Sequence, residues 1–544
     1  MLHRQQRWLL GAAQIATFKA TTMKSNVDFA KIDHAGDLSQ GRNSLDRATP
    51  VTGRTAILTP ARTRLLLAFI TLIGAVLRLH SLAVRSLWID EAASVSFASL
   101  AWKPFIKVLW GYQGNMALYY FLLHEWIHLG DSEFAVRSLS VLLGVLTISA
   151  VYLLAARLFD RPTGLISASL LAVHSFHIHW SQETRAYSLL ILLLVLTTYA
   201  LVAALESSKL SYWLVFSVLA ALCVYAHIFA LLVLTAHALA IIFPKPFRVE
   251  LPTVVASAAV FAFLCEPMAA FVILQHSDQL SWMARPSLAD IWDFLKLLTS
   301  QGGVLLVVVY LALCGLAFLQ PAGVKRPAKE SWALRLMLVW LLSLPLLTLA
   351  VSLIKPFFYP RYMVICVPAL VILAARGLVN LYEIRVMRHW VAAAAFVLVI
   401  ALSGWGTYRY FVNFPMETSD WRSAVRYILQ RQRPGDGAVF FLPNTYCYRY
   451  YIHRSEESQH QSISAPDVLY PPSPTQPVTR AEVQQVTFGH ERVWLILHID
   501  SINPQASATI QSTLGETYRI VDKHEFPGED LITVALYDHK PVEQ

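Results

Sequence analysis

Charged residues are scarce in this sequence. Asp, Glu, Lys and Arg make up 15% of the 544 residues, whereas 56% are hydrophobic and the mean hydropathy is +0.50. A soluble protein carries charge on about a quarter of its residues, so the composition excludes an ordinary soluble enzyme. The apolar residues are grouped in blocks of roughly 17 to 25, the length of a helix that crosses a bilayer. The sequence therefore predicts a polytopic helical membrane protein.

Paired cysteines and glycine-rich loops are missing as well. Of the five cysteines, four lie in apolar runs and only Cys447 lies in a polar region. No two of them suggest a zinc site or a disulfide framework. The chain has no glycine-rich nucleotide loop and no internal repeat of the kind that transporters carry. These absences disfavour nucleotide-driven chemistry and leave the polar motifs between the apolar blocks as the candidates for function.

The apolar blocks predict about eleven membrane spans within a membrane domain of residues 63–412. One block, 212–243, is too long for a single helix and is divided near His227. The predicted spans are 65–82, 134–156, 164–180, 186–205, 212–225, 228–243, 252–275, 303–320, 333–354, 362–382 and 390–409.

Basic residues between the spans set the orientation. The net charge is +9, but Lys and Arg occur in short clusters, as the positive-inside rule expects, and do not indicate a nucleic-acid partner. The predicted inner loops are 157–161, 209, 245–248, 325–329 and 385–388. The predicted outer segments are 83–133, 181–185, His227, 276–302 and 355–361. Every unusual polar motif therefore falls on the outer face.

The two ends of the chain differ from the membrane domain. Residues 1–62 are polar and lack sustained periodicity, which favours a disordered cytoplasmic tail. Sequence upstream of a later start such as Met23 is the alternative, and a signal peptide is disfavoured because no clear cleavage site follows. Residues 413–544 contain an amphipathic helix with Ser419 or Asp420 as N-cap. Three short strands follow, GAVFFL, RVWLILHI and LITVALYD. An α/β domain is predicted here, on the outer face because an odd number of spans precedes it.

The first outer segment, 83–133, is rich in aromatic residues. It contains WKPFIKVLWGYQGNMALYYFLLHEWIHLG, with apolar residues at helical spacing and two lysines, Lys103 and Lys107. This pattern favours helices that lie in the plane of the membrane interface. One or two additional spans within the segment are the alternative.

An acidic pair follows the first predicted span, in SLWIDEAAS (86–94). Carboxylates at a membrane boundary are functional by default, because some partner or task must offset the cost of desolvation. Desolvation also raises the pKa of a carboxylate and makes it a stronger base. The alternative is that Asp90 caps the helix that follows. We expect Asp90 to act as a base and Glu91 to orient the site.

A second polar motif, HIHWSQETRAYSLL (177–190), ends the third predicted span on the same face. Glu183 and Arg185 can form a local ion pair that holds the loop. Alternatively, Glu183 points into a cavity shared with Asp90 while Arg185 binds an anion.

A third motif, LIKPFFYPRYMVICVPAL (353–370), places Lys355 and Arg361 among prolines and aromatic residues, with Tyr362 next to Arg361. Cations at this depth either snorkel to lipid headgroups or bind a lipid-linked phosphate. His227, at an outer turn, is either a structural histidine or joins an acidic residue in binding an acceptor or a divalent ion. The metal signal is weak because no second histidine stands at ligand spacing.

Four motifs occur in a fixed order along the chain: SLWIDEAAS, ALYYFLLHEWIHLGDSEFAVRSLSVLLGVL, HIHWSQETRAYSLL and YPRYMVICVPALVILAARGL. In this order they resemble the bacterial family 39 glycosyltransferases. These belong to the GT-C group, which includes protein O-mannosyltransferases and aminoarabinose lipid A transferases. The resemblance covers roughly residues 65–412.

The resemblance implies transfer of a sugar from a polyprenyl-phosphate donor, with inversion at the anomeric carbon. The reaction would take place on the outer face of the cytoplasmic membrane, among membrane lipids, with a lipid, glycan or protein as acceptor. The family's first-loop acidic motif matches Asp90 and Glu91, with the Asp as base. Its second acidic position matches Glu183.

The chemistry of such a transfer assigns the remaining candidates. It needs cations for the leaving phosphate, and these are Arg185, Lys355, Arg361 and Lys103. His227 and Tyr362 are expected to bind the acceptor or shape the site, and a divalent metal ion would use Glu183 and His227. A transporter or flippase for an anionic or lipid-linked solute is one alternative function. A sensor or structural membrane protein whose outer domain does the binding is the other.

Overall fold

The computed structural model describes residues 59–207, 209–243, 246–274, 285–320, 325–383, 389–413, 419–440, 445–459, 467–469, 478–498, 504–528 and 530–540. Residues 1–58 of the predicted cytoplasmic tail therefore lie outside the described residues.

The regular elements that the structure describes between residues 59 and 413 are all helices. The α-helices are α1 (Pro60–Leu79), α2 (Ile89–Ala98), α3 (Trp102–Val108), α4 (Ala117–Trp126), α5 (Glu133–Leu158), α6 (Arg161–Ala172), α7 (Ser175–Ser181), α8 (Tyr187–Ser207), α9 (Leu210–Ala226), α10 (Ala230–Ile242), α11 (Leu251–Leu274), α12 (Leu288–Leu298), α13 (Val304–Leu316), α14 (Ala328–Ser352), α15 (Val367–Glu383) and α16 (His389–Asn413).

Seven helices in the described residues are long and apolar enough to cross a membrane. They are α1, α5, α8, α11, α14, α16 and α15 together with the 3₁₀ turn Pro360–Cys366 that precedes it. Three shorter apolar helices, α9, α10 and α13, accompany them. The chain is thus a multi-pass helical membrane protein, as its composition predicts.

The third predicted span differs from a single helix. Residues 164–180 are divided between α6 and α7, which are separated at Val173 and His174. Arg78 of α1 donates to the carbonyl oxygens of Leu171 and Ala172, at 3.1 and 3.0 Å. These are among the last carbonyls of α6, which lack a partner within their own helix. A buried arginine therefore stabilises a break that hydropathy alone does not reveal.

The long apolar block near His227 is divided as predicted. Helix α9 ends at Ala226 and α10 begins at Ala230, with His227 in extended conformation between them.

The predicted first outer segment holds three short helices, α2, α3 and α4, and short helical turns between them. These helices have 7 to 10 residues, whereas a span needs about 20. Trp102 and Ile106 on α3 and Trp110 just after it are exposed. The segment therefore does not cross the membrane as one helix, and its exposed aromatic residues suit the membrane interface.

Helices α8 and α15 lie at the centre of the membrane part and are almost wholly buried. Two buried tryptophans of α14 have their indole N–H groups satisfied: Trp340 donates to the carbonyl oxygen of Ile365 at 3.0 Å, and Trp332 donates to that of Ala240 at 2.9 Å. At Gly377 of α15, a Cβ atom would lie 1.9 Å from the carbonyl oxygen of Leu313. Glycine is required there because α13 and α15 approach so closely.

The C-terminal segment, residues 419–540, combines helices with one sheet. Its elements are α17 (Trp421–Arg431), β1 (Gly437–Phe440), α18 (Thr445–Gln459), β2 (Asp467–Leu469), α19 (Arg480–Thr487), β3 (Arg492–His498), α20 (Pro504–Thr517), β4 (Tyr518–Phe526) and β5 (Ile532–His539). The strand order is β2-β1-β3-β5-β4. Strand β1 is parallel to β2 and β3, whereas β5 is antiparallel to β3 and β4. The three strands predicted from the sequence correspond to β1, β3 and β5. Of the two predicted N-cap residues, Asp420 is the one that caps α17.

Candidate active site

Asp90 lies in the first turn of α2. The N-cap of this helix is Trp88, so the carboxylate of Asp90 is not the capping group. About a third of the Asp90 side chain, 35%, is exposed. The carboxylate is therefore accessible at the end of the loop that joins α1 to α2.

Two arginines flank the Asp90 carboxylate. Oδ2 of Asp90 lies 3.5 Å from a guanidinium nitrogen of Arg185 and 3.3 Å from one of Arg361. These arginines come from the α7–α8 loop and from the 3₁₀ turn before α15. The fold thus brings together three of the residues that the sequence singles out, from positions up to 271 residues apart.

Each arginine has further partners that fix its position. Arg185 donates to the hydroxyl of Tyr120 at 3.3 Å. Burial lowers the pKa of Arg185, but the charge of Asp90 outweighs this and the pKa is raised overall. Arg361 donates to the hydroxyl of Tyr359 at 3.0 Å and lies over the rings of Tyr359 and Trp88, 4.4 and 5.4 Å from their centroids. Cation–π contacts of this kind hold a guanidinium group in place.

Glu91 is fully buried and faces away from solvent. Its two oxygens accept from Arg137 at 2.8 and 2.6 Å, and one also accepts from the backbone N–H of Thr184 at 2.9 Å. Burial alone would raise the pKa of Glu91, but the charge and hydrogen bonds of Arg137 lower it below its usual value. Glu91 therefore joins α2, α5 and the α7–α8 loop, a geometry that suits a residue that orients the site.

Glu183 is also buried, and its partner is not Arg185. Its carboxylate accepts from the guanidinium of Arg85 and from the indole N–H of Trp88. The Nε2 atom of His179 lies 3.9 Å from the same carboxylate. Glu183 and Arg185 therefore do not pair with each other. Glu183 pairs with Arg85, and Arg185 pairs with Asp90.

A cavity of about 550 Å³ opens beside this cluster. Its walls include Glu183, Arg361, Trp88, His179, Tyr410 and Gln301. A volume in this range is typical of small-molecule sites. Arg361 lines the cavity and contacts Asp90, so it connects the two.

His227 and Tyr362 lie in an aromatic layer near Arg185. Their ring centroids are 5.4 Å apart, and Nδ1 of His227 accepts from the backbone N–H of Phe229 at 3.2 Å. Burial and the charge of Arg185 lower the pKa of His227 to about 3, so the ring is neutral. No group of three or more His, Cys, Asp or Glu side chains that could hold a metal ion occurs among the described residues.

The two predicted lysines lie at the surface. Lys103 is exposed on α3, and Lys355 is exposed in the loop between α14 and the 3₁₀ turn that carries Arg361. Neither is buried within the cluster of Asp90, Arg185 and Arg361.

Arg85 and Arg137 belong to this site but were missed by sequence reasoning. A signal was present for both, since each is an arginine on the predicted outer side, against the positive-inside tendency. Arg137 lies within a predicted span, where a charge needs a partner. Trp88 and Tyr120, which contact Arg361 and Arg185, had no comparable signal.

Comparisons with known proteins agree with this architecture. Residues 116–271 match the sequence model of the dolichyl-phosphate-mannose-protein mannosyltransferase family. No curated protein matches the sequence. ArnT from Cupriavidus metallidurans bound to undecaprenyl phosphate is similar in structure, with a TM-score of 0.53 and 13% identity over 88% of this chain and 98% of that chain.

Two further solved structures are similar to this chain. ArnT from the same organism in the apo state has a TM-score of 0.53 and 13% identity over 87% of this chain and 98% of that chain. AglB from Archaeoglobus fulgidus, in complex with an inhibitory peptide and a dolichol-phosphate, has a TM-score of 0.49 and 12% identity over 84% of this chain and 72% of that chain. The chain therefore has the fold of ArnT, and over residues 116–271 it resembles the dolichyl-phosphate-mannose-protein mannosyltransferases.

Proposed function

We propose that this protein is a glycosyltransferase that moves a sugar from a polyprenyl-phosphate donor to an acceptor at the outer face of the cytoplasmic membrane. The observation that carries the proposal is the Asp90 carboxylate, partly exposed and held between Arg185 and Arg361 at a membrane boundary. The mannosyltransferase family match and the ArnT-like fold support it.

The proposed step is one displacement at the anomeric carbon of the donor sugar. Asp90 accepts the proton of the acceptor hydroxyl or amine while the acceptor oxygen or nitrogen bonds to that carbon. The bond from the anomeric carbon to the phosphate oxygen breaks, and its electron pair leaves with polyprenyl phosphate. Attack opposite the leaving group inverts the anomeric carbon.

Exposure favours Asp90 over the other two acids as the base. A general base must come within hydrogen-bond reach of the proton that it removes. The side chain of Asp90 is 35% exposed, whereas those of Glu91 and Glu183 are 0% and 2% exposed. The carboxylates of both buried acids pair with buried arginines, Glu91 with Arg137 and Glu183 with Arg85. We therefore assign Glu91 and Glu183 to the support of the α1–α2 loop.

Arg361 and Arg185 are the proposed partners of the leaving phosphate. A guanidinium group presents two parallel N–H donors that match phosphate oxygens. Two such groups beside Asp90 would stabilise the negative charge that develops on the phosphate. Because Arg361 also lines the cavity, we propose that the donor headgroup binds on that side. Lys355 and Lys103, exposed at the surface, would attract the donor phosphate before it enters.

His227 and Tyr362 are proposed to shape the wall behind Arg185. The pKa of about 3 makes His227 a poor proton carrier at neutral pH, and its buried ring contacts Tyr187, Phe229 and Tyr362. The residue therefore suits packing better than proton transfer.

The test incubates the purified full-length protein with a panel of radiolabelled polyprenyl-phosphate sugars and membrane extract as the source of acceptor. The wild-type protein should label a product. Asp90→Asn should lose about 10²–10⁴-fold in single-turnover transfer, the usual contribution of a general base, because Asn cannot accept a proton near neutral pH.

Asp160→Asn is the matched control. The Asp160 carboxylate is 37% exposed and pairs with Arg376 at 2.9 Å, so it resembles Asp90 in exposure and partner. Asp160 follows the C-terminal end of α5, whereas Asp90 lies near the N-terminal end of that helix. Asp160 is the N-cap of α6, and Asn can also serve as an N-cap. This variant should transfer at the wild-type rate.

Two results would contradict the proposal. If the wild-type protein moves labelled lipid across a vesicle membrane but attaches no sugar to any acceptor, the protein is a transporter. If Asp90→Asn turns over normally while Glu183→Gln is inactive, Glu183 is the base.

A further inference from the structure

The loop that leads into the helix of Asp90 has no regular secondary structure, so side chains from elsewhere must hold it. Residues 80–88 connect α1 to α2. From the membrane part, Arg137 donates to the carbonyl oxygens of Leu82, Arg85 and Ser86, at 2.9, 3.0 and 3.0 Å. These contacts leave several backbone groups of the loop to be satisfied by other partners.

Arg422 of the C-terminal segment supplies the next set of contacts. Its guanidinium donates to the carbonyl oxygens of Ala83 at 3.0 Å, Val84 at 3.2 Å and Arg85 at 3.3 Å. The same group pairs with Glu133 at 2.7 Å. One arginine at the start of α17 therefore holds three consecutive carbonyls of the loop and anchors itself to the first residue of α5.

Tyr451 of α18 holds the end of the loop nearest to Asp90. The backbone N–H of Leu87 donates to the Tyr451 hydroxyl at 2.8 Å, and that hydroxyl donates to Glu133 at 3.0 Å. Burial raises the pKa of Tyr451 above its ordinary value, so the hydroxyl keeps its proton and can make both bonds. Glu133 thus joins Arg422 and Tyr451 in one network on the outer side of the loop.

We propose that Arg422 and Tyr451 are positioning residues for Asp90, and that the C-terminal segment is therefore a working part of the active site. The activity part of this inference rests on the proposed glycosyl transfer. Leu87, which Tyr451 holds, is three residues before Asp90, so a shift of the loop moves the carboxylate relative to Arg185 and Arg361. A misplacement of about 1 Å can cost on the order of 10²-fold in rate.

The test compares Tyr451→Phe with Tyr450→Phe in the full-length protein. Each substitution removes one hydroxyl from the same helix at the same interface. The Tyr450 hydroxyl donates to the carbonyl oxygen of Asp131 at 2.8 Å, outside the Asp90 loop. Tyr451→Phe should lower kcat about 10-fold or more with little change in the KM for donor or acceptor, because the binding groups remain. Tyr450→Phe should keep both constants.

Hydrogen exchange supplies a readout that does not depend on activity. In Tyr451→Phe the amide of Leu87 loses its acceptor, so a peptide covering 83–90 should exchange about 5-fold faster, as expected for the loss of one hydrogen bond. The same peptide should be unchanged in Tyr450→Phe. Arg422→Lys is the second variant: lysine keeps the charge toward Glu133 but lacks the planar fork that reaches three carbonyls. It should also lower kcat and speed exchange in 83–90.

The inference is overturned if both tyrosine variants exchange and turn over alike, or if Tyr451→Phe changes only the KM values. If the wild-type protein transfers sugar from none of the donors, the proposed function fails. The exchange comparison then still decides whether Tyr451 and Arg422 hold the loop.

Discussion

Replacing Glu91 by Gln would break an ion pair that lies entirely inside the protein. The side chains of Glu91 and Arg137 are both 0% exposed, and their closest N–O distance is 2.6 Å. Gln has nearly the same size but no charge, so the Arg137 guanidinium would stay buried without its counter-charge. Removal of one partner from a buried pair typically costs about 3–5 kcal/mol of stability.

An exposed pair in the same chain provides the comparison. Glu206 lies 2.7 Å from Arg157 and 2.8 Å from Lys329, and the side chains of Glu206, Arg157 and Lys329 are 26%, 27% and 39% exposed. Glu206→Gln is chemically the same substitution at nearly the same distance, but an exposed pair is worth only about 0–1 kcal/mol. We therefore expect Glu91→Gln to destabilise the protein by at least about 2 kcal/mol more than Glu206→Gln.

The assay is denaturant unfolding of the purified protein in mixed micelles, followed by tryptophan fluorescence. The pH dependence gives a second check. The folded pKa of Glu91 is lowered from its usual value of about 4.5, so the stabilisation is complete above that value and is lost as the pH falls through the lowered pKa. The wild-type protein and Glu91→Gln should then converge in stability at low pH. Equal losses of unfolding free energy for the Glu91 and Glu206 variants would refute the reasoning.

Three further outcomes are expected. Arg361→Ala should reduce kcat/KM for the donor by about 10- to 150-fold, because a charge-assisted contact is worth about 1.5–3 kcal/mol; unchanged kinetics in a folded variant would indicate that the residue only snorkels to headgroups. Reporter fusions at Lys325 and Gln544 should lie on opposite sides of the membrane, as the predicted orientation requires, and a shared side would contradict it. Burial lowers the pKa of His498 from 6.5 to about 4, so the unfolded state binds the proton more readily than the folded state. The free energy of unfolding should therefore decrease as the pH falls from 6.5 to 4, by up to about 3 kcal/mol. His498→Gln should remove this dependence in pH-dependent unfolding, whereas a variant of the exposed His524 should retain it.

Much of the fold could be predicted because its signals are local. A run of apolar residues forms a helix in a membrane whatever lies beside it, since only a helix satisfies its own backbone there. The break at His227, the cap at Asp420 and the strands β1, β3 and β5 follow from equally short patterns. The break between α6 and α7 escaped such reasoning because its stabilising group, Arg78, lies on another helix.

The sequence by itself determined which charged residues stand at the ends of the apolar helices. Asp90, Glu91, Glu183, Arg185 and Arg361 stand out there because charge is costly at a membrane boundary. Only the tertiary structure decided how these charges pair. Glu183 and Arg185 are two positions apart, yet each contacts a residue far along the chain. Helix packing brings such distant groups within about 3 Å, and this arrangement leaves Asp90 as the exposed acid while the other two are buried against arginines.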